Sequence, residues 1–296
     1  MIERPPAGAV EPVQSVNAPG NESPVNGGIR EVKSAARTVD LLELMAARGN
    51  EPARLRELSD ALGAPRSSIY ALLRTLVERG WVRTDVTGTL YSIGIQALLA
   101  GTTYLDFDPF LRIVQPQINE LSVKLDETIH YGRLQRTDIV YLATHESTQY
   151  LRPFSRVGRR LPAFTTAMGK ALLAERLGAA DQEGPEGVGV HLPATLRPVT
   201  TNTIVDRAAL KADLEQVRAR GYAVDREENL DGVVCFAVPL RFGTPPADAI
   251  SCSVPVERLR EDRQGREAEI VEALRRTKLA IERMAPSSSS RNNPWA

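Results

Sequence analysis

The 296-residue chain has little sulfur and little imidazole: two cysteines, Cys235 and Cys252, and three histidines, His130, His145 and His191. Two thiols cannot build a disulfide framework. No Cys/His cluster has the spacing of a structural zinc site, so neither a metal nor a cofactor is expected. Long apolar runs are also missing. No stretch approaches the roughly 18 residues of a membrane-spanning segment. The opening MIERPPAGAVEPVQSVNAPGNESPVNGG lacks the apolar middle of a secretory signal. A cytoplasmic protein with no membrane partner is the expectation. Charge of one sign is absent as well, with 37 basic residues against 37 acidic ones. That argues against a structural, non-specific protein that coats nucleic acid, because such binding depends on many phosphate contacts. It leaves room for one small nucleic-acid-binding module, where the local field matters more than the sum.

The ends of the chain carry no periodic pattern. Residues 1–29 are rich in Pro, Gly, Asn and Val, and residues 286–296 read PSSSSRNNPWA. Both are expected to be disordered tails. Between them lie two blocks, 30–94 and 107–285, joined by a small apolar segment over 95–106 (QALLAGTTY within it) that reads as a linker helix.

The first block reads as three helices and a wing. Ser34 is a good N-cap, and Ala35, Val39, Leu42 and Met45 recur on one helical face before Gly49 stops the pattern. A short second helix covers about Arg54 to Leu62, with Leu55, Leu58 and Leu62 on one side. Gly63 allows a tight turn, and Pro65 stands where a first helical position is expected. In the third helix, Ile69, Leu72, Leu73, Leu76 and Val77 form a continuous core-facing stripe. Its other side carries Ser67, Ala71, Arg74 and Glu78, flanked by Ser68, Tyr70 and Thr75. Short polar residues and an arginine near a helix start suit a major groove, since serine meets phosphates or base edges and arginine grips guanine with two bonds. The segment WVRTDVTGTLYSIG then reads as a two-stranded wing turning at Asp85–Gly88, with Arg83 placed to touch backbone or minor groove. The candidate DNA-contacting residues are Arg66, Ser67, Ser68, Tyr70, Ala71, Arg74, Thr75 and Arg83. From Arg30 to Ser92, ten basic against eight acidic residues leave a net charge of +2. A three-helix module that binds another protein therefore stays open on pattern alone.

The strings SAARTVDLLELMA and LRELSDALGAPRSSIYALLRTLVERGWV closely resemble the N-terminal domain of the IclR family of bacterial transcriptional regulators. Gly63, Pro65, Ser67, Leu72, Leu73, Thr75, Leu76 and Gly80 stand where that family's pattern expects them. Ala71 departs from it, since the family often has an arginine there, and this step of the DNA contact is expected to differ. The resemblance implies a winged helix-turn-helix and double-stranded DNA as a partner.

In the second block, 109–125 reads as an amphipathic helix. Ile129–Leu134 and Asp138–His145 read as a strand pair, and FSRVGRRLPAF as a loop with Arg152, Arg156, Arg159 and Arg160 near or within it. A helix follows over TTAMGKALLAERLG and another over Val205–Arg220. Strands are expected at Tyr222–Arg226, Val233–Leu240 and Ala249–Val254, then a long helix over Glu257–Met284. The fold class is α+β with a largely antiparallel sheet. The strings VGRRLPAFTTAMGKALLA, RARGYAVDREENLDGVVCFAVPL and AISCSVP are similar to the C-terminal effector domain of the same family, a GAF-like sheet. The resemblance implies a small-molecule effector, often an organic or aromatic acid, and effector-binding positions at Ala167, Met168, Asp225, Val233, Cys235, Ser251 and Ser253. It further implies a homodimer on a near-palindromic operator, pairing of dimers into a tetramer as a further option, and repression as the output. Ser251 and Ser253 lie two apart on a strand and share a face. Each position has a plainer reading too: strand hydroxyls for the serines, a small buried apolar residue for Cys235, one charge on the solvated run DREEN for Asp225. Met168 is longer than the small residue expected beside a two- or three-carbon acid.

The competing function is an enzyme fused to a DNA-binding or docking domain. No G-x-S-x-G elbow, phosphate loop or dinucleotide fingerprint is present. Cys235 has no histidine near it in sequence, so a nucleophile–base pair would have to form in space from His130 or His145. No catalytic residue is expected.

Overall fold

The computed structural model describes residues 32–49, 51–152, 156–180, 192–260 and 262–285. Both expected tails lie outside them. The chain divides into two compact units, with the boundary between Asp106 and Phe107.

In the first unit, α1 (Lys33–Ala47), α2 (Leu55–Ala61) and α3 (Arg66–Glu78) surround one apolar core. The α3 stripe forms as its spacing demands, with Ile69, Leu73 and Leu76 buried. For α1 the expected face holds only in its second half. Leu41 and Met45 are buried while Val39 is exposed. Met45 of the expected stripe is in the core and Leu42 packs against it, while Leu41, one residue off that stripe, is fully buried in place of Val39. Ser34 does not cap it either; the helix starts at Lys33 after Val32, with no side-chain cap. Pro65 is the N-cap of α3 rather than its first helical residue. The turn between α2 and α3 is locked from inside. Ser59 Oγ donates to the Ala64 carbonyl at 2.6 Å, Ala64 N–H returns a bond to the Ser59 carbonyl, and Gly63 takes φ +57°. The wing is three-stranded, not two-stranded. A two-residue strand β1 (Ala53–Arg54) pairs with β3 (Leu90–Ile93), which also pairs with β2 (Val82–Thr84). Asp85 closes the wing tip by accepting the N–H groups of Thr89 and Leu90, each at 2.9 Å. Helix α4 (Ile95–Phe107) follows, tied to the wing base by Gln96 N–H on the Gly80 carbonyl.

The second unit is a six-stranded antiparallel sheet in the order β6-β5-β4-β9-β8-β7. The strands are β4 (Thr128–Gln135), β5 (Asp138–His145), β6 (Arg160–Pro162), β7 (Ala223–Arg226), β8 (Val233–Leu240) and β9 (Asp248–Pro255). Helices α5 (Leu111–Leu125) and α8 (Arg263–Met284) pack against β4, β5, β8 and β9. Helix α6 (Ala167–Ala180) packs against β7, β8 and β9 and against α7 (Arg207–Arg220). Two expectations are corrected. Part of the arginine-bearing loop is an edge strand, β6, because Leu161 pairs with Ile139 and joins the α6-side core. The last helix begins at Arg263 rather than Glu257. Val256–Leu259 is a separate 3-10 turn, and Asp262 caps the new start by accepting Gly265 N–H at 2.9 Å.

Candidate DNA-binding face and effector pocket

The solvent side of α3 presents Arg66, Ser67, Tyr70, Ala71, Arg74 and Thr75, all exposed. Ser68 is half-buried, and its hydroxyl accepts Arg37 Nη1 from α1 at 3.0 Å. Thr75 turns its hydroxyl back onto the Ala71 carbonyl at 3.0 Å. Arg74 rests on Glu78 at 3.1 Å, one turn on. Arg83 on β2 donates to Ser92 Oγ across the wing at 3.1 Å. No side chain caps α3, so the helix start keeps backbone donors and a partial positive charge, the ordinary features of a phosphate-binding end.

In the second unit, strand register gathers the polar residues onto one face. Asp225, Cys235, Ser253 and Thr128 align across β7, β8, β9 and β4. The next row on the same face is Ala223, Ala237, Ser251, His130 and Thr144. Val233 begins β8 two residues before Cys235, hence on this face as well. Helix α6 lies over it, with Ala167 and Met168 in its first turn, both buried in the core that includes Ala223, Ala237 and Ala249. Gly132 makes room for Met168: a Cβ there would stand 3.1 Å from the Met168 methyl.

The hydroxyls, the thiol and the imidazole form a connected set. His130 Nδ1 is 3.1 Å from Thr144 Oγ1, His130 Nε2 is 3.1 Å from Ser253 Oγ, and Ser253 Oγ is 3.1 Å from Cys235 Sγ. The Tyr141 ring meets the His130 ring edge-on at 5.0 Å. Burial, with the Arg159 guanidinium second, pushes the imidazole down to about 3, so His130 is neutral. Burial pushes the Cys235 thiol up, with the Asp225 charge acting the same way. Burial and then Glu228 push Asp225 up to about 7.

Asp225 is not a charge on a solvated turn. It is 2% exposed, and its Oδ1 accepts Glu228 N–H at 2.7 Å. Glu228 is buried too, and Lys170 of α6 reaches it at 2.5 Å and Asp213 of α7 at 2.9 Å. The run DREEN therefore turns Asp225 and Glu228 inward. Sequence reasoning did not place His130, Thr144 and Tyr141 on this face, and passed over Lys170. Of the arginine group, Arg159 is half-buried while Arg152, Arg156 and Arg160 are exposed. His130 was visible only as a possible base for Cys235. Its ring instead bonds Thr144 and Ser253, and a thiol pushed up by burial is not an activated nucleophile.

Two family models cover most of the chain: the IclR helix-turn-helix domain over residues 34–86 and the bacterial transcriptional regulator IclR C-terminal domain over residues 102–283. The chain belongs to the IclR family. It is 34% identical over 237 residues to the HTH-type transcriptional regulator KdgR of Escherichia coli K12, covering 79% of this chain and 88% of that one. It is 31% identical to the transcriptional repressor IclR of the same organism, over 79% and 84%. A solved IclR homologue from Microbacterium hydrocarbonoxydans, in complex with 4-hydroxybenzoate, shares the fold with a TM-score of 0.64, 20% identity, and coverage of 84% and 98%. The IclR-type helix-turn-helix makes this chain a DNA-binding transcriptional regulator, of a family of regulators rather than enzymes. Among the described residues no helix is long and apolar enough to cross a membrane.

Proposed function

We propose that this IclR-family chain is a repressor, working in the cytoplasm, whose grip on a near-palindromic operator changes when a small organic or aromatic acid enters the pocket between α6 and the sheet. The observation that carries this reading is the polar row Asp225–Cys235–Ser253 with His130 and Ser251 beside it, buried on an otherwise apolar face. Buried polar groups are costly unless they have partners, and convergent ones in an apolar setting are the usual floor of a ligand site. Repression is supported by the name of the Escherichia coli relative, a transcriptional repressor. An acidic effector is supported by the 4-hydroxybenzoate complex of the Microbacterium homologue.

On the DNA side, α3 would enter the major groove with Ser67, Ser68, Tyr70 and Arg74 toward the bases and Arg66, Thr75 and Arg83 toward the backbone. Ala71 is the step at which base preference departs from relatives with arginine there. A homodimer would set two α3 helices one helical turn of DNA apart. Helix α4 supports the dimer: it buries none of its residues within one chain and exposes Ile95, Leu98, Leu99 and Tyr104. Val39 on α1 adds a further exposed apolar side chain.

The test pairs two measurements. Ser251→Ala with Ser253→Ala should blunt the response to an effector acid while operator binding without effector persists. Loss of both together would mean a folding defect instead. Solution mass of the protein on its operator should correspond to two or four chains, and a single chain on DNA would refute the dimer.

A further inference from the structure

We infer that Arg37 of α1 belongs to the DNA-binding face: it fixes the Ser68 hydroxyl as a donor and, together with it, grips one phosphate of the DNA backbone. The inference rests on the reading of α3 as the helix that enters the major groove, and it moves Ser68 from the bases to the backbone.

Arg37 reaches α3 because of where it stands on α1. Arg37, Leu41 and Met45 are four apart in sequence, so they share one helical face. Leu41 and Met45 fill the core. One turn earlier the same face meets the first turn of α3. There Arg37 Nη1 lies 3.0 Å from Ser68 Oγ, and both residues are half-buried.

The direction of this bond is fixed by its chemistry. A guanidinium has donors only, so Ser68 Oγ is the acceptor. Thr75 shows where a helical hydroxyl proton ordinarily goes, onto the carbonyl one turn back, at 3.0 Å. For Ser68 that carbonyl belongs to Ala64, and the Ser59 hydroxyl already occupies it at 2.6 Å. Among the described residues the Ser68 proton has no acceptor, so it is left for a partner outside the chain. A hydroxyl that accepts from a cation is also a stronger donor, because bonds in a chain polarise one another.

Arg37 differs from other arginines of the first unit. Arg48 pairs with Glu57, Arg56 with Asp60 and Arg74 with Glu78. Among the described residues Arg37 has no carboxylate partner, and the hydroxyl it holds is neutral. Its charge stays uncompensated beside the outward Ser68 proton. Such a set, all donors with a positive charge, matches phosphate oxygens, which are charged acceptors. Base edges in the major groove present donors as well as acceptors. Position agrees with this. Ser67, Ala71 and Arg74 are exposed in the middle of the solvent side of α3, whereas Ser68 lies at its border with the core stripe, beside half-buried Leu72. When the middle of the helix faces the bases, its border faces the wall of the groove, which is backbone.

The test measures DNA binding against salt. A duplex of arbitrary sequence serves first, because a phosphate contact carries no sequence information. In Arg37→Ala the slope of log affinity against log salt should shrink by about one for each bound chain. Arg37→Gln keeps an amide that can still donate to Ser68 but has no charge; it should show the same smaller slope, and it stands in if truncation to alanine unsettles the fold. The second arm uses a duplex enriched by the wild-type protein from a random pool, with its single-base variants. There Arg37→Ala and Ser68→Ala should each weaken binding at least about tenfold, by the same factor on every duplex. The double variant should lose much less than the product of the two, because the pair acts as one unit. A salt slope unchanged in both Arg37 variants overturns the phosphate contact. Losses that multiply overturn the link between Arg37 and Ser68. A Ser68→Ala loss that depends on one base position returns Ser68 to the bases and overturns the inference as well. A pool with no enriched sequence would sink the reading of α3 as a sequence-reading helix, and the arbitrary duplex would still decide on Arg37.

Discussion

Replacing Asp225 by asparagine, and separately His130 by glutamine, should uncover two opposed pH dependences that hide each other in the wild type. His130 titrates at about 3 in the fold against 6.5 in an open chain. Between those values the unfolded chain holds a proton that the folded one refuses. The stability tied to His130 is therefore full above the unfolded value and is lost as pH falls toward 3. Asp225 has the reverse sign. It titrates at about 7 in the fold against 3.8 unfolded, so the folded state holds a proton the unfolded one has released. Its contribution is full below the unfolded value and is lost as pH rises toward 7. Each pH unit is worth about 1.4 kcal/mol per proton, so each group accounts for about 4–5 kcal/mol across its window. From about pH 4 to about pH 6.5 both windows are open, the two proton differences cancel, and this pair leaves the wild type flat. Asp225→Asn keeps an oxygen for Glu228 N–H and removes the falling limb. Relative to wild type, its stability should climb by about 4 kcal/mol between pH 4 and pH 7. His130→Gln should do the opposite and gain on the wild type as pH falls. Urea unfolding at pH steps through this range, following the C-terminal unit, measures both differences. A variant curve running parallel to wild type for Asp225→Asn would mean that Asp225 is ionised in the fold. A parallel curve for His130→Gln would mean that the imidazole is not held neutral.

Three further outcomes follow from the geometry. Arg74→Ala should weaken specific operator binding by about 1–3 kcal/mol if the side chain reads a base, with the fold intact because its pairing with Glu78 is an exposed ion pair; gel-shift titration across operator variants checks it, and unchanged affinities would remove Arg74 from the contact face. Lys170→Met should cost about 3–5 kcal/mol by stranding the buried Glu228 without its cation, and the loss should shrink as pH falls and Glu228, whose carboxyl burial pushes up, takes a proton; denaturant titration at two pH values reads this. Ser59→Ala should cost about 1–3 kcal/mol in the first unit by leaving the buried Ala64 carbonyl without its donor; a change within a few tenths would mean that water replaces the hydroxyl.

Local patterns carried much of the first unit. The α3 stripe, the stop at Gly80 and the wing turn at Asp85–Gly88 are all short-range signals, and all formed. What failed depended on partners distant in sequence. Strand β1 is two residues long and exists only because Ala53 meets Tyr91 and Arg54 meets Leu90. The α1 face was ambiguous in its first half, where only the packed core selects Leu41 over Val39. Lys170 sits in the apolar run GKALLA and looks like a surface charge. Its burial is visible only once Glu228 and Asp213 are brought to it from other elements.

The pocket shows the same limit at the scale of one residue. Ser251 and Ser253 share a face by simple alternation, and that much is legible in the sequence. Tyr141 and Thr144 are three apart on β5, so alternation puts them on opposite faces. The register resolves this: Tyr131 pairs with Ala143 and Gly132 with Tyr141, which leaves Leu142 without a partner. That bulge shifts the alternation by one. Thr144 and Tyr141 then both stand on the α6 side, one bonded to the His130 ring and the other against its edge. The extra residue is what lets a three-residue step from Tyr141 to Thr144 end on the side it started from; a regular strand reaches the same side in a two-residue step. A deletion of Leu142 should accordingly close the bulge and leave the pairings of Gly132 with Tyr141 and of His130 with Thr144 in place. Tyr141 and Thr144 would then stand two apart on the His130 side, and a protein that still folds should keep the edge-on ring contact, read as His130 ring-proton shifts close to those of the wild type; loss of the ring-current shift would mean that the bulge itself holds the two rings together.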